Sequence, residues 1–111
     1  MKLKTIEPTE KELTFIAAYF TCLFFTENRM DDLDDGFERE SIIDCLAFYS
    51  RIDCYLPTDD VKIAAAGHDF WLTRNGHGAG FWDGDWPAFQ GEMFTNISKS
   101  FGEVHPVFEE Y

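Results

Sequence analysis

Basic residues are scarce in this sequence, and so are cysteines and long apolar runs. Lys and Arg number 9 against 21 Asp and Glu, a formal net charge of −12 at pH 7. A surface of that sign repels phosphate backbones and anionic bilayers, which argues against direct binding of nucleic acid or membrane. The three cysteines, Cys22, Cys45 and Cys54, form no CxxC pair, so a zinc ribbon or redox motif is not expected. Cys22 and Cys45 fall within apolar helical patterns and read as small buried hydrophobes, and reduced thiols suit the cytoplasm. The longest apolar region, Leu13 to Phe25, is interrupted by Thr14, Thr21 and Cys22 and is too short to span a bilayer. The start, MKLKTIEPTEKE, has no long apolar stretch behind its lysines and does not read as a signal peptide. No phosphate loop occurs, and Ser41, Ser50, Ser98 and Ser100 lie in helical patterns without a glycine elbow, so no nucleophile stands in a recognised context.

Rings and acids are what the chain has in quantity. Aromatic residues make up 17%, with 12 Phe among 111 residues, enough for one domain, residues 1–111, around a core of rings. Thr9 and Glu12 form a capping box, after which a helix runs to about Thr26, with Leu13, Ile16, Ala17, Phe20, Leu23 and Phe24 at helical spacing and Phe15, Tyr19 and Phe25 widening that buried stripe, which makes the helix central. A second helix is expected from about Glu38 to Asp53, with Ile42, Ile43 and Leu46 on its inner face. Thr58 can cap a short third helix, Asp59 to Ala66, with Gly67 in the left-handed position beyond it. Asp69 to Arg74 is aromatic and β-branched enough for a strand, the glycine-rich Asn75–Gly80 for a turn, and Phe81–Asp83 for a return strand. Pro87 opens a helix over 87–101 with Phe89, Met93, Ile97 and Phe101 on one face, and Val104–Glu109 reads as a last strand. The expected fold is therefore α+β, in the order α-α-α-β-β-α-β.

The acids are not evenly spread. Residues 31–60 carry ten acids and two bases, whereas residues 1–30 carry four of each. The densest run is Asp31, Asp32, Asp34, Asp35, Glu38 and Glu40, at a loop and the start of the second helix. Acids at a helix N-terminus are stabilising in themselves, but four aspartates in five positions repel one another unless water, a cation or a basic partner offsets them. A calcium loop does not fit: with Gly36 at loop position six, Leu33 and Ile42 fall where carboxylates are required. Carboxylates along a loop and helix do resemble, in spacing and sign, the phosphates that a Lys- and Arg-lined groove is shaped to meet. On this reading Asp31, Asp32, Asp34, Asp35, Glu38, Asp59 and Asp60 form one negative face for a basic partner.

The most distinctive run is Ala66-Gly67-His68-Asp69-Phe70-Trp71-Leu72-Thr73-Arg74-Asn75-Gly76-His77-Gly78-Ala79-Gly80-Phe81-Trp82-Asp83. A structural account gives its glycines to the turn, buries Trp71 and Trp82, and uses Asp69 and Asp83 as acceptors from turn amides or Arg74. A binding account places Arg74, Asn75 and His77 at an exposed hairpin tip. A metal or acid–base account brings His68, His77, Asp69, Asp83 and Asp85 together, in a spacing that matches no metal signature.

The run resembles one found in small proteins of bacteriophages and other mobile elements, with a looser likeness at Thr26-Glu27 and Phe101-Gly102-Glu103. That resemblance carries no reaction with it. It implies an accessory protein acting in the cytoplasm of a bacterial host, where such proteins disarm defence. The resulting expectation is a non-enzymatic inhibitor or modulator, of anti-CRISPR or antirestriction type. Its carboxylates would compete with DNA for a basic host protein or ribonucleoprotein complex, with no cofactor. The exposed aromatics of so short a chain also admit a homodimer. The alternative is a small metal-binding or metal-dependent protein centred on His68 and His77, with Asp83 and Asp85.

Overall fold

Thr9 and Glu12 do close a capping box: the Glu12 amide donates to Thr9 Oγ1 at 3.2 Å and the Thr9 amide to Glu12 Oε1 at 2.8 Å. The helix they start, α1, spans Glu10–Glu27 and ends at Asn28, whose φ of 52° lies in the left-handed region. In the computed structural model, which describes residues 7–110, three more helices follow. These are α2 over Asp35–Ile52, α3 over Asp60–Arg74 and α4 over Ala88–Ser100, with a 3-10 turn at Asp53–Tyr55 after α2. The lysine-bearing start, residues 1–6, on which the leader reading rests, lies outside the described residues.

The α+β expectation is overturned. Among the described residues no β-strand forms, and the one extended pairing is an isolated antiparallel bridge between Leu33 and Phe108. The expected last strand, Val104–Glu109, shrinks to that bridge and its two flanking bonds, Asp34 N to Val107 O and Glu109 N to Asp32 O, both 2.8 Å. The expected hairpin is absent because Asp69–Arg74 completes α3 and Phe81–Asp83 belongs to a run of turns. The helix does not stop at Gly67, since Ile63, Ala66, Gly67, Phe70, Trp71 and Arg74 recur at helical spacing and are all buried. Gly67 is there for contact: a Cβ on it would lie 2.3 Å from the Phe15 carbonyl oxygen and 3.0 Å from Ala18 Cβ. Its absence lets α3 lie directly on α1.

The core is a stack of rings between these helices. Phe48 of α2 lies face to face with Phe70 of α3, centroids 4.1 Å apart and planes 8° apart. Phe15 of α1 and Phe81 extend the stack at 5.8 Å on either side of Phe48. Phe81 then meets Phe94 of α4 edge-on at 5.2 Å. Such offset and edge-on pairs add about 0.5–1.5 kcal/mol each beyond the area they bury. The inner face of α1 is Phe15, Ile16, Ala18, Tyr19, Cys22 and Leu23, narrower than the expected stripe, and Leu13 is left half exposed.

Into this apolar core the fold places one cation. Arg74, the last residue of α3, is buried. Its Nη1 donates to Tyr19 Oη of α1 at 3.1 Å and meets Asp44 Oδ2 of α2 at 3.0 Å. Its Nε and Nη2 donate to the carbonyls of Gly102 and Phe101, just after α4, at 2.9 and 3.2 Å. The Phe70 and Phe101 rings lie 5.2 and 6.0 Å from the guanidinium carbon. One side chain thus ties together all four helices.

Removing that cation leaves Asp44 and two carbonyls without their donor, so Arg74→Ala is expected to destabilise by about 3–5 kcal/mol. Asp44→Ala should remove about 1.5–3 kcal/mol, because Arg74 keeps its other acceptors and the site of Asp44 is partly solvated. At Gly67→Ala, the gain in helix propensity of about 1 kcal/mol opposes an overpacking cost of up to about 3 kcal/mol or more, for a net loss. Urea denaturation of the three variants checks the signs and the order of Arg74 against Asp44.

Candidate functional site

The run from Ala66 to Asp83 is occupied with holding the fold. Trp71 Nε1 donates to Thr26 Oγ1 at 2.8 Å, fastening α3 to the end of α1. Thr73 Oγ1 accepts the Phe81 amide at 3.1 Å, and a Cβ on Gly80 would lie 2.3 Å from that same oxygen. Asn75 donates from Nδ2 to Trp71 O at 3.0 Å and accepts the Val104 amide on Oδ1 at 2.9 Å. The His77 amide donates to Leu72 O at 3.0 Å, and its half-buried ring lies 6.3 Å from that of Trp71. Asp83 accepts the Gly80 amide at 3.3 Å. Arg74, Asn75 and His77 therefore do not form an exposed hairpin tip. Arg74 is buried and Asn75 bridges two backbone segments. Trp82, expected in the core, is 54% exposed, and the buried indole is that of Trp86.

The metal constellation does not assemble either. Among the described residues no group of three or more His, Cys, Asp or Glu side chains is placed to hold a metal ion. His68 points out from α3 as an exposed residue, while Asp69 on the same helix accepts the Trp86 indole N–H at 2.7 Å. Burial pushes the Asp69 carboxyl above its ordinary value. The Trp86 bond opposes this, the charges of Asp83 and Asp85 add to it, and His68 again opposes it. Burial also pushes the Cys22 thiol up to about 11 and raises that of Cys45, so both sit as neutral packing groups.

The acidic residues fall into two sets. Asp34 is the N-cap of α2, accepting the Phe37 amide at 3.0 Å, and Asp35 and Glu38 occupy the first turn behind it. Asp59 is the N-cap of α3, accepting the Lys62 amide at 2.9 Å, with Asp60 in the first turn. Phe15 of α1 meets Tyr49 late in α2, whereas Phe20 and Phe24 of α1 share a groove with Glu38 early in α2. The two helices are thus antiparallel, and Asp59 and Asp60 sit past the far end of α2 from Asp31–Glu38. With 18 residues in α2, that separation is roughly 25 Å at the usual helical rise. The single negative face read from the sequence is two faces.

The set at the start of α2 has a shape that sequence reasoning missed. Phe20, Phe24, Met30 and Leu33 line a groove of about 210 Å³ together with Asp31, Asp32 and Glu38; Leu33 is buried at it and Met30 is exposed. At its edge the Arg29 guanidinium lies 3.9 Å from the Phe108 ring centre and pairs with Asp31. The signal was present in the sequence: Phe20 and Phe24, one turn apart, precede the acidic loop by only a few residues.

The raised Asp69 fixes a sign for pH dependence. The folded chain binds this proton more tightly than the unfolded chain. The associated stability is fully present below the ordinary value of 3.8 and is lost as pH rises through the raised folded value. Asp69→Asn keeps an acceptor for Trp86 without the charge. Its stability relative to the parent chain should therefore improve as pH rises from the ordinary carboxylate value through the raised one and then level off, read from urea midpoints at a series of pH values. A constant difference would place the Asp69 charge in solvent.

No family model, curated protein or solved structure matches the chain.

Proposed function

We propose that this protein acts by binding, not catalysis, and that its groove between α1 and the start of α2 takes basic side chains of a nucleic-acid-binding host protein or ribonucleoprotein complex. The observation that carries this reading is the pairing of an aromatic and aliphatic floor with a rim of carboxylates. Lys and Arg have the matching division, an apolar stem below a charged head. Arg29 supports the reading from within the chain, stacked on Phe108 and paired with Asp31. An excess of 12 negative charges would speed the encounter and make it salt-sensitive. Carboxylates seated on the partner's cations would exclude the phosphates that normally occupy them. The likeness of the Ala66–Asp83 run to phage and mobile-element proteins suggests a host defence complex of CRISPR or restriction type as the target, in the bacterial cytoplasm.

The division of acids into two sets sharpens the test. A triple variant Asp31→Asn, Asp35→Asn, Glu38→Gln leaves both helix caps in place. In low salt it should bind a bacterial nucleic-acid-binding complex about 10–100-fold more weakly than the parent chain, with single changes doing far less. The double variant Asp59→Asn, Asp60→Asn, at the far end of α2, should change binding little. Pull-down from host lysate with elution by salt and by heparin is the measurement. Undiminished recovery of the complex by the triple variant, or recovery indifferent to heparin, would sink the proposal.

A further inference from the structure

The outer face of α4 is unlike the rest of the surface. The helix carries two charged residues, Glu92 and Lys99, of opposite sign and both exposed. They are seven positions apart, close to two turns, so they lie on the same flank. On the other flank Phe89, Met93 and Ile97 follow at steps of one turn. Phe89 is 68% exposed, Met93 and Ile97 are half-buried, and with Glu92 and Asn96 the three line a shallow groove of about 440 Å³. The inward face of the helix is Gly91, Phe94 and Ser98; Met93 and Ile97 rest partly on the core, and their outer sides and Phe89 stay open among the described residues.

We propose that this face pairs with the same face of a second copy, the two α4 helices running antiparallel about a two-fold axis near Asn96. Symmetry selects that occupant. A two-fold axis between antiparallel helices brings each flank against its own counterpart with the direction reversed. Glu92 then stands opposite Lys99 of the second copy, and Lys99 opposite its Glu92, which makes two ion pairs from one sequence. On the other flank Met93 meets Ile97 of the second copy, with Phe89 outside them. Asn96 lies at the axis, where an amide can both donate to and accept from its equivalent. The acidic groove at α1 and α2 offers a second copy only carboxylates to face its own. Long-range repulsion between two chains of charge −12 opposes the pairing. It is largely screened beyond about 8 Å at physiological ionic strength. Added salt should therefore strengthen this association.

Sedimentation of the full chain from low micromolar to several hundred micromolar tests the proposal. A monomer–dimer equilibrium that tightens with salt is expected. Glu92→Lys and Lys99→Glu should each raise the dimer dissociation constant about tenfold. The double swap should return it to within about threefold of the parent, and a mixture of the two single variants should form a heterodimer. Phe89→Asp, at a site too exposed to threaten folding, should weaken the dimer more than either single reversal. A chain that stays monomeric throughout overturns the proposal, as does a double swap no tighter than the singles. In the first case a different protein, not a second copy, covers the stripe.

Discussion

A buried guanidinium is the constraint from which the rest of this structure follows. Arg74 ends α3 inside a core of phenylalanines, and its charge is tolerable there because each of its nitrogens has a partner: Tyr19 and the ion-paired Asp44 at Nη1, and the carbonyls of Gly102 and Phe101 at Nε and Nη2. Those acceptors come from α1, α2 and the segment after α4. The requirement to satisfy one cation therefore fixes four helices relative to one another more specifically than ring packing does. The neighbouring Asn75 adds to it by holding the Val104 amide. The chain after α4 is thus set on a course that carries Val107 and Glu109 to the backbone of Asp34 and Asp32. The acidic loop is shaped by a tail that is itself anchored at the core's one cation.

That route changes how the excess of acid is understood. Part of it serves local structure, since Asp34 and Asp59 cap helices and Asp44 balances Arg74. Caps contribute about 1 kcal/mol each, and a partner to a buried cation contributes more. Asp31, Asp35 and Glu38 have no comparable duty. Asp31 meets Arg29 at the surface, where such pairs are worth about 1 kcal/mol or less. Asp35 and Glu38 gain a little from the first turn of α2, but the sharing of one groove by Asp31 and Glu38 with Phe20, Phe24 and Leu33 is more than that accounts for, and it is the reason the functional reading centres there.

Much of the helical plan is legible in the sequence; the buried face of α1 and the length of α3 are not. The capping box of α1, the bounds of α2 within a few residues, and α4 after Pro87 all follow from caps and periodicity. On α1 the periodicity gives a buried stripe that is too wide, because no charge falls between Leu13 and Thr26 to mark the outside, and Phe25 within it is exposed. Leu13 and Ala17 are out, and Phe15 and Tyr19 are in. The failure at α3 has a different cause. Gly67 reads as punctuation and Phe70-Trp71 as β-formers, yet glycine in a helix also marks close approach, and packing overrides β-propensity. Ile63, Ala66, Gly67, Phe70, Trp71 and Arg74 already spelled a helical face. Arg74, read as a strand end and hairpin-tip contact, belongs to that face because its partners surround it.

Two of the apolar surfaces left open among the described residues differ in what surrounds them, and that decides what can cover each. The groove of Phe20, Phe24 and Leu33 is rimmed by carboxylates, so any occupant must bring positive charge to offset their desolvation. The α4 stripe is flanked by one acid and one base at a spacing that is its own complement under a two-fold axis. The first surface suits a foreign cation and repels a copy of the chain, while the second tolerates a copy. Screening acts in opposite senses on the two, weakening attraction across the groove and relieving repulsion across α4. The two proposed contacts lie on different elements, the groove on α1 and the start of α2 and the stripe on α4, and so need not compete.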